Sequence, residues 1–221
     1  MIFQIRRMAV ETAPNNPLSW DTPPWQGLPA GELTRFMGQA PAHFPKVAFK
    51  LAYSGDALNL LFRVSDRYVL ARATQDQGAV WKDSCVEFFF TPGPDPDQGY
   101  FNLEMNCGGT VLCHFQKVPR QDRLPVSEAD CRAITRFHSL PRIIFPEIAE
   151  PVVWTVGCQI PFAVLERYSP VTRPCPGTVW RGNFYKCADQ SSHPHWLTWA
   201  PVAAPAPDFH RPESFGTLVF V

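Results

Sequence analysis

Long apolar runs are missing from this 221-residue chain. No stretch approaches the about twenty residues that span a bilayer. The start, MIFQIRRMAV, carries two arginines without the apolar core of a signal peptide. A soluble protein is expected, with the cytoplasm favoured. Net charge is missing too: 20 Lys and Arg residues balance 20 Asp and Glu residues. No global field therefore draws in nucleic acid or an anionic membrane surface, and a neutral or locally matched ligand fits better. The seven cysteines, at 85, 107, 113, 131, 158, 175 and 187, form no CxxC pair. That leaves neither a zinc ribbon nor a complete disulfide framework, and most are expected to be buried thiols. A Gly-rich phosphate loop and a nucleophile elbow are absent as well.

Helical periodicity is scarce, whereas 24 prolines, 17 phenylalanines, 7 tryptophans and 5 tyrosines argue for short extended segments joined by rigid turns. "VAFKLAY" (47–53) and "LNLLFRV" (58–64) alternate apolar residues with period two, and "SGDA" between them is a hairpin turn. Further strands are expected at 85–91, 100–106, 110–116, 131–137, 152–160, 179–187 and 216–221. One short helix is expected at "PFAVLERY" (161–168), with proline in its first turn. Residues 11–30 and 200–212, rich in Pro with Trp or Phe, are expected to wrap the body as ordered loops. Short strands spaced by turn signals in a chain of this length predict a single all-β domain over 1–221, an antiparallel β-sandwich.

The run "VWKDSCVEFFF" (80–90) places polar residues in what otherwise reads as a buried strand. Strand parity sends Val86, Phe88 and Phe90 one way and Trp81, Asp83, Cys85, Glu87 and Phe89 the other. "YFNLEMN" (100–106) repeats the arrangement, with Asn102, Glu104 and Asn106 opposite Phe101, Leu103 and Met105. Antiparallel sheets commonly turn one polar face to water. Amides and carboxylates beside an aromatic ring, however, are the groups that hold sugar hydroxyls while the ring stacks on a pyranose.

These two stretches and the chain's end, "FHRPESFGTLVF" (209–220), resemble carbohydrate-binding module family 9, the reducing-end sugar binders of the DOMON-like sandwich group. The resemblance covers the chain from about residue 20 onward. It implies that a strand-borne tryptophan and a second aromatic from a late loop sandwich one sugar ring, while polar strand residues bind its hydroxyls. Trp81 then looks like the first platform and Glu87, six residues on, like the family's sugar-binding glutamate. Asn102 stands where the family has an arginine. The second platform becomes Phe209, a phenyl in place of an indole, with His210 beside it. Asp83 sits one residue nearer the tryptophan than the family's aspartate. Structural calcium is also implied by the resemblance, although no acidic cluster marks a site.

The segment "WRGNFYKCADQSSHPHWLTWAP" (180–201) adds Asn183 and Lys186 as candidates to reach a ligand and Trp199 as a core plug. The expected function is non-catalytic binding of a small neutral mono- or oligosaccharide between Trp81 and Phe209, with Glu87, Asn102, Asn106 and Asn183 bonding to hydroxyls. Three alternatives draw on neighbouring residues. Glu87 and Glu104 have the makings of a glycosidase pair. Met105 and His114 are candidate haem ligands of the kind other DOMON-like sandwiches use. Cys187, His193 and His195 offer a thiolate and two imidazoles to zinc, at a spacing that matches no standard site.

Overall fold

The period-two alternation at 47–53 and 58–64 produces the expected hairpin. In the computed structural model, which describes residues 1–8 and 19–221, the first strand, β1, covers Ile2–Arg7 and is followed by β2 (Lys46–Tyr53) and β3 (Ala57–Asp66). Ser54 closes the turn between the last two, its N–H donating to the Ala57 carbonyl at 2.9 Å. Next come β4 (Cys85–Thr91), β5 (Tyr100–Asn106), β6 (Val111–Gln116), β7 (Val152–Pro161), β8 (Val179–Cys187) and β9 (Gly216–Phe220). One sheet runs β6-β5-β4-β8-β9-β1 and the other β1-β2-β3-β7, with shorter strands at the edges.

The architecture is all-β and sandwich-like, but not purely antiparallel. β1 pairs parallel with β9 through residues 2–5 and parallel with β2 through residues 6 and 7. It hands the hydrogen-bond ladder from one sheet to the other, at a segment where no strand is expected from sequence. The expected strand at 131–137 is also corrected. Its first half is a helix, α1 (Glu128–Ala133), and a strand resumes only at 135–138. Ser127 caps that helix by accepting from the Asp130 N–H at 3.1 Å, and Glu128 and Asp130 in its first turn suit the helix dipole. The second helix, α2 (Phe162–Leu165), is shorter than the expected 161–168.

Core residues of the two sheets meet face to face. The Phe184 ring of β8 stacks on Phe49 of β2 at 3.6 Å and on Phe88 of β4 at 4.5 Å. Trp199 is the core plug expected of it, buried and edge-on to Phe3, Phe49 and Phe184. Of the Pro-rich segment 11–30, residues 11–18 lie outside the described residues. Within the remainder Trp20 and Trp25 are buried, and Lys50 donates to both their carbonyls at 2.9 Å. All seven cysteines are free, and only Cys175 is exposed. Among the described residues no helix is long and apolar enough to cross a membrane.

Candidate functional site

Strands β4, β5 and β8 give one face to the core and turn the other toward a cleft of about 440 Å3. Register assembles that second face. Glu87 lies between Tyr185 and Glu104, Phe89 between Asn183 and Asn102, and Cys85 between Cys187 and Asn106. The loop ahead of β9 packs onto this face: Phe209 stacks on Tyr185 at 4.2 Å with rings 13° apart, and Tyr185 Oη donates to the Phe209 carbonyl.

Trp81, Glu87, Asn102, Phe209 and His210 all line the cleft, so the structure brings together residues 128 positions apart, from 81 to 209. Trp81 is not on a strand, however. It sits in a single 3-10 turn, Val80–Lys82, before β4 begins. That turn lifts its ring out of the sheet, and at 38 % exposure it is the accessible aromatic of the set. Phe209 is only 8 % exposed, because Tyr185 covers one ring face.

Asn106, Asn183 and Lys186 are corrected. Asn106 is spent inside the protein, donating to the Ala73 carbonyl and Asp83 and accepting from the Thr110 N–H. Asp83 is buried as its partner. Asn183 shares the cleft parity, yet its amide bridges to the Ala200 N–H and carbonyl. Lys186 lies opposite Val86 in the register, on the core side of the sheet. Its ammonium donates to the Cys187 carbonyl at 3.0 Å and contacts His195 Nε2 at 2.8 Å. Strand parity alone shows which face a residue takes, not whether its polar atoms remain unpaired.

Two alternatives lose their geometry. Met105 is part of the core while His114 lines the cleft, so they lie on opposite faces and form no axial pair. Cys187 and His195 are likewise separated, the thiol bonding to Glu87 on the cleft side and the imidazole to Lys186 on the core side. His193 instead stacks on Tyr68 at 3.6 Å.

The floor of the cleft is a hydrogen-bonded chain. Gln116 Nε2 donates to Asn102 Oδ1 at 2.8 Å, and Asn102 Nδ2 donates to Glu104 Oε1 at 3.0 Å. His210 Nδ1 faces both Tyr100 Oη at 2.8 Å and Gln116 Nε2 at 3.4 Å. A neutral ring with its proton on Nε2 satisfies both donors. Burial, reinforced by Arg120, holds the His210 pKa down to about 3. Burial also pushes the Glu104 carboxyl up to about 7, against the opposing pull of the Asn102 bond. Glu87 is raised well above its ordinary range, first by burial and then by Cys187 and Glu104.

Sequence reasoning missed several lining residues, among them Gln77, Arg120, Arg123, Trp196 and Asp208. Trp196 carried only its residue type as a signal; pairing with Cys187 on a strand at 196–198 gives it the cleft face, and its indole N–H donates to Asp189 at 2.8 Å. Arg120 carried none: it adopts φ 65°, a conformation uncommon outside glycine, and pairs with Asp208 across the cleft rim at 2.9 Å.

The raised Glu104 carboxyl makes stability pH-dependent. The folded protein keeps a proton on Glu104 that the unfolded chain releases above about pH 4.5, so stability falls as pH rises from there through about 7. Thermal unfolding followed between pH 5 and pH 8 should show this decline. Glu104→Gln should make it shallower, leaving the part due to Glu87, and an identical slope in the variant would exclude Glu104 as a source.

The calcium implied by the resemblance finds no cage of acidic side chains among the described residues. The one group of three metal-capable side chains among the described residues whose ligating atoms all lie within 4.8 Å is Cys85, Glu87 and Cys187, whereas calcium takes six to eight oxygens.

Comparison with known proteins agrees with this architecture. A comparison with curated proteins finds no match. Among solved structures, a Bacteroides uniformis ATCC 8492 protein described as a "putative carbohydrate-binding protein" is 30% identical, with 100% of this chain and 99% of that chain covered and a TM-score of 0.87. A family 9 module from Caldicellulosiruptor kristjanssonii shares the fold. Its glucose complex is 14% identical over 100% of this chain and 96% of that one, and its cellotriose complex 12% identical over 100% and 93%, both with a TM-score of 0.62. The model of carbohydrate-binding family 9 matches residues 29–220, and the chain belongs to that family.

Proposed function

We propose that the cleft binds a small neutral saccharide, mono- or oligomeric, by its reducing end and without catalysis. The observation that carries this reading is the convergence of an accessible indole, Trp81, with Phe209 over a floor of Glu87, Asn102 and Glu104. Trp81 offers the stacking face. Glu87 and Asn102 exchange hydrogen bonds with ring hydroxyls, and His210, held neutral, closes the floor beside Phe209. The bound glucose and cellotriose of the Caldicellulosiruptor kristjanssonii module support the ligand class.

A glycosidase role for Glu87 and Glu104 is less well supported. That chemistry sets one ionised carboxylate against one protonated acid, whereas burial here lifts both carboxyls toward the protonated form.

Each net hydrogen bond contributes about 1 kcal/mol and stacking a similar amount, so dissociation constants of about micromolar to millimolar are expected. Titration calorimetry with glucose, cellobiose and xylobiose should give heat, and the corresponding alditols, which lack a closed terminal ring, should give little. Equal binding of sugar and alditol would remove the end preference. Absence of heat for every sugar would remove saccharide binding.

A further inference from the structure

We propose that Cys85, Glu87 and Cys187 form a binding site for a thiophilic divalent cation, zinc or its analogues cobalt and cadmium, at the back wall of the cleft. The inference does not depend on saccharide binding, although it shares Glu87 with that reading.

The register builds the site. Cys85 and Cys187 are directly opposite on β4 and β8, and Glu87, two residues beyond Cys85, points the same way. Two paired strands in the middle of a sheet therefore hold all three ligands on a rigid support. Their ligating atoms lie within 4.8 Å of one another, and Cys187 Sγ is 3.1 Å from Glu87 Oε1. Tetrahedral zinc, with bonds of about 2.3 Å to sulfur and about 2.1 Å to oxygen, sets its ligands roughly 3.5 to 3.8 Å apart. Closure of the group around a cation thus needs movements of about 1 Å or less, within reach of side-chain adjustment.

Two thiolates select zinc-like ions over calcium or magnesium. Glu87 and Cys187 line the cleft while Cys85 does not, so an ion has an entry path and a fourth position open to water or to a ligand hydroxyl. Burial explains why the group needs a cation to ionise. It pushes the Cys85 thiol up to about 12 and raises Cys187 and Glu87 as well. Metal uptake displaces the protons of both thiols and of Glu87 to solvent, so affinity should increase with pH.

The test uses the full chain with Cys175→Ser as parent, which removes the one exposed thiol, reduced and then freed of reductant under anaerobic conditions. Cobalt(II) titration should produce a thiolate-to-cobalt charge-transfer band at one equivalent, bleached by zinc. Cys187→Ser should weaken binding by more than about a hundredfold, since loss of supporting outer-shell groups alone costs 10- to 100-fold. Glu87→Gln should weaken it while leaving the sulfur band detectable at high cobalt, and it stands as the readout if the cysteine variant fails to fold. No band in the reduced parent, or equal affinity in both variants, would overturn the site. So would a chain that forms a Cys85–Cys187 disulfide in air yet takes up no cobalt once reduced.

Discussion

Replacing Trp81 by alanine should lower saccharide affinity by about thirtyfold, equivalent to about 2 kcal/mol, with little change in thermal stability. The two effects separate because of where the ring sits. Trp81 stands on the 3-10 turn Val80–Lys82 with 38 % of its surface open, so its removal leaves no cavity in the core. The turn itself is held by backbone bonds: Asp83 N–H donates to the Val80 carbonyl, and Asp189 and Gln190 N–H groups donate to the Trp81 and Lys82 carbonyls. Phe209→Ala is a poorer probe, since that ring stacks on Tyr185 and its loss would disturb both fold and site. Calorimetry with cellobiose, read beside melting temperature, checks the prediction. An unchanged isotherm takes Trp81 out of the binding surface and shifts attention to Trp196, the other indole lining the cleft.

Lys186→Met should destabilise the fold by about 3 to 5 kcal/mol, the usual cost of stripping the partner from a buried charge. Lys186 and Asp66 are both fully buried at the side chain, 3.6 Å apart. That is an ion pair without a hydrogen bond, and Asp66 Oδ2 has no other donor. Oδ1 contacts His43 Nε2 at 2.7 Å. Burial by itself raises the Asp66 carboxyl, but Lys186 and then the His43 bond outweigh it and the pKa is lowered. Without the ammonium, that balance reverses. For a chain of this size the expected loss in melting temperature is about 10 °C. Asp66→Asn in the same chain should return part of it, because the remaining side chain then carries no charge. A melting temperature within a degree or two of the parent would show that the buried pair is energetically neutral.

Position 186 also shows where sequence reasoning reached its limit. The alternation in 179–187 located the strand to the residue, and parity in 85–91 and 100–106 correctly set Glu87, Asn102 and Glu104 on one face. Lys186 was offered to the ligand without that logic, from the crowding of polar residues at 180–201, and it falls on the strand face opposite to Asn183 and Tyr185, which pairing with Val86 identifies as the core side. Asn106 and Asn183 failed for a different reason. Their faces were right, but nearby backbone groups of Ala73, Thr110 and Ala200 claimed their amides. Buried polar atoms take whatever partner is in reach, and chain positions distant in sequence supply those partners.

The capping of α1 was available from sequence, since Ser127 followed three residues later by Asp130 is a helix start signal. The apolar run after it favoured a strand. β1 offered less: Ile2–Arg7 has a weak alternation, and its two parallel partners lie at β9 and β2, which local pattern does not reveal.

What the sequence by itself determined is the class of the molecule. Period-two alternation, prolines and aromatics favour short strands around an apolar core. The tertiary structure alone decided which side chains share a space. Trp81 and Phe209 line one cleft from a turn and a loop, Asp66 meets Lys186 between the two sheets, and Cys85 faces Cys187 because β4 and β8, distant in the chain, pair in a particular register. Register is set by collective burial of one face and by hydrogen bonding between backbones, quantities that no local stretch of sequence contains.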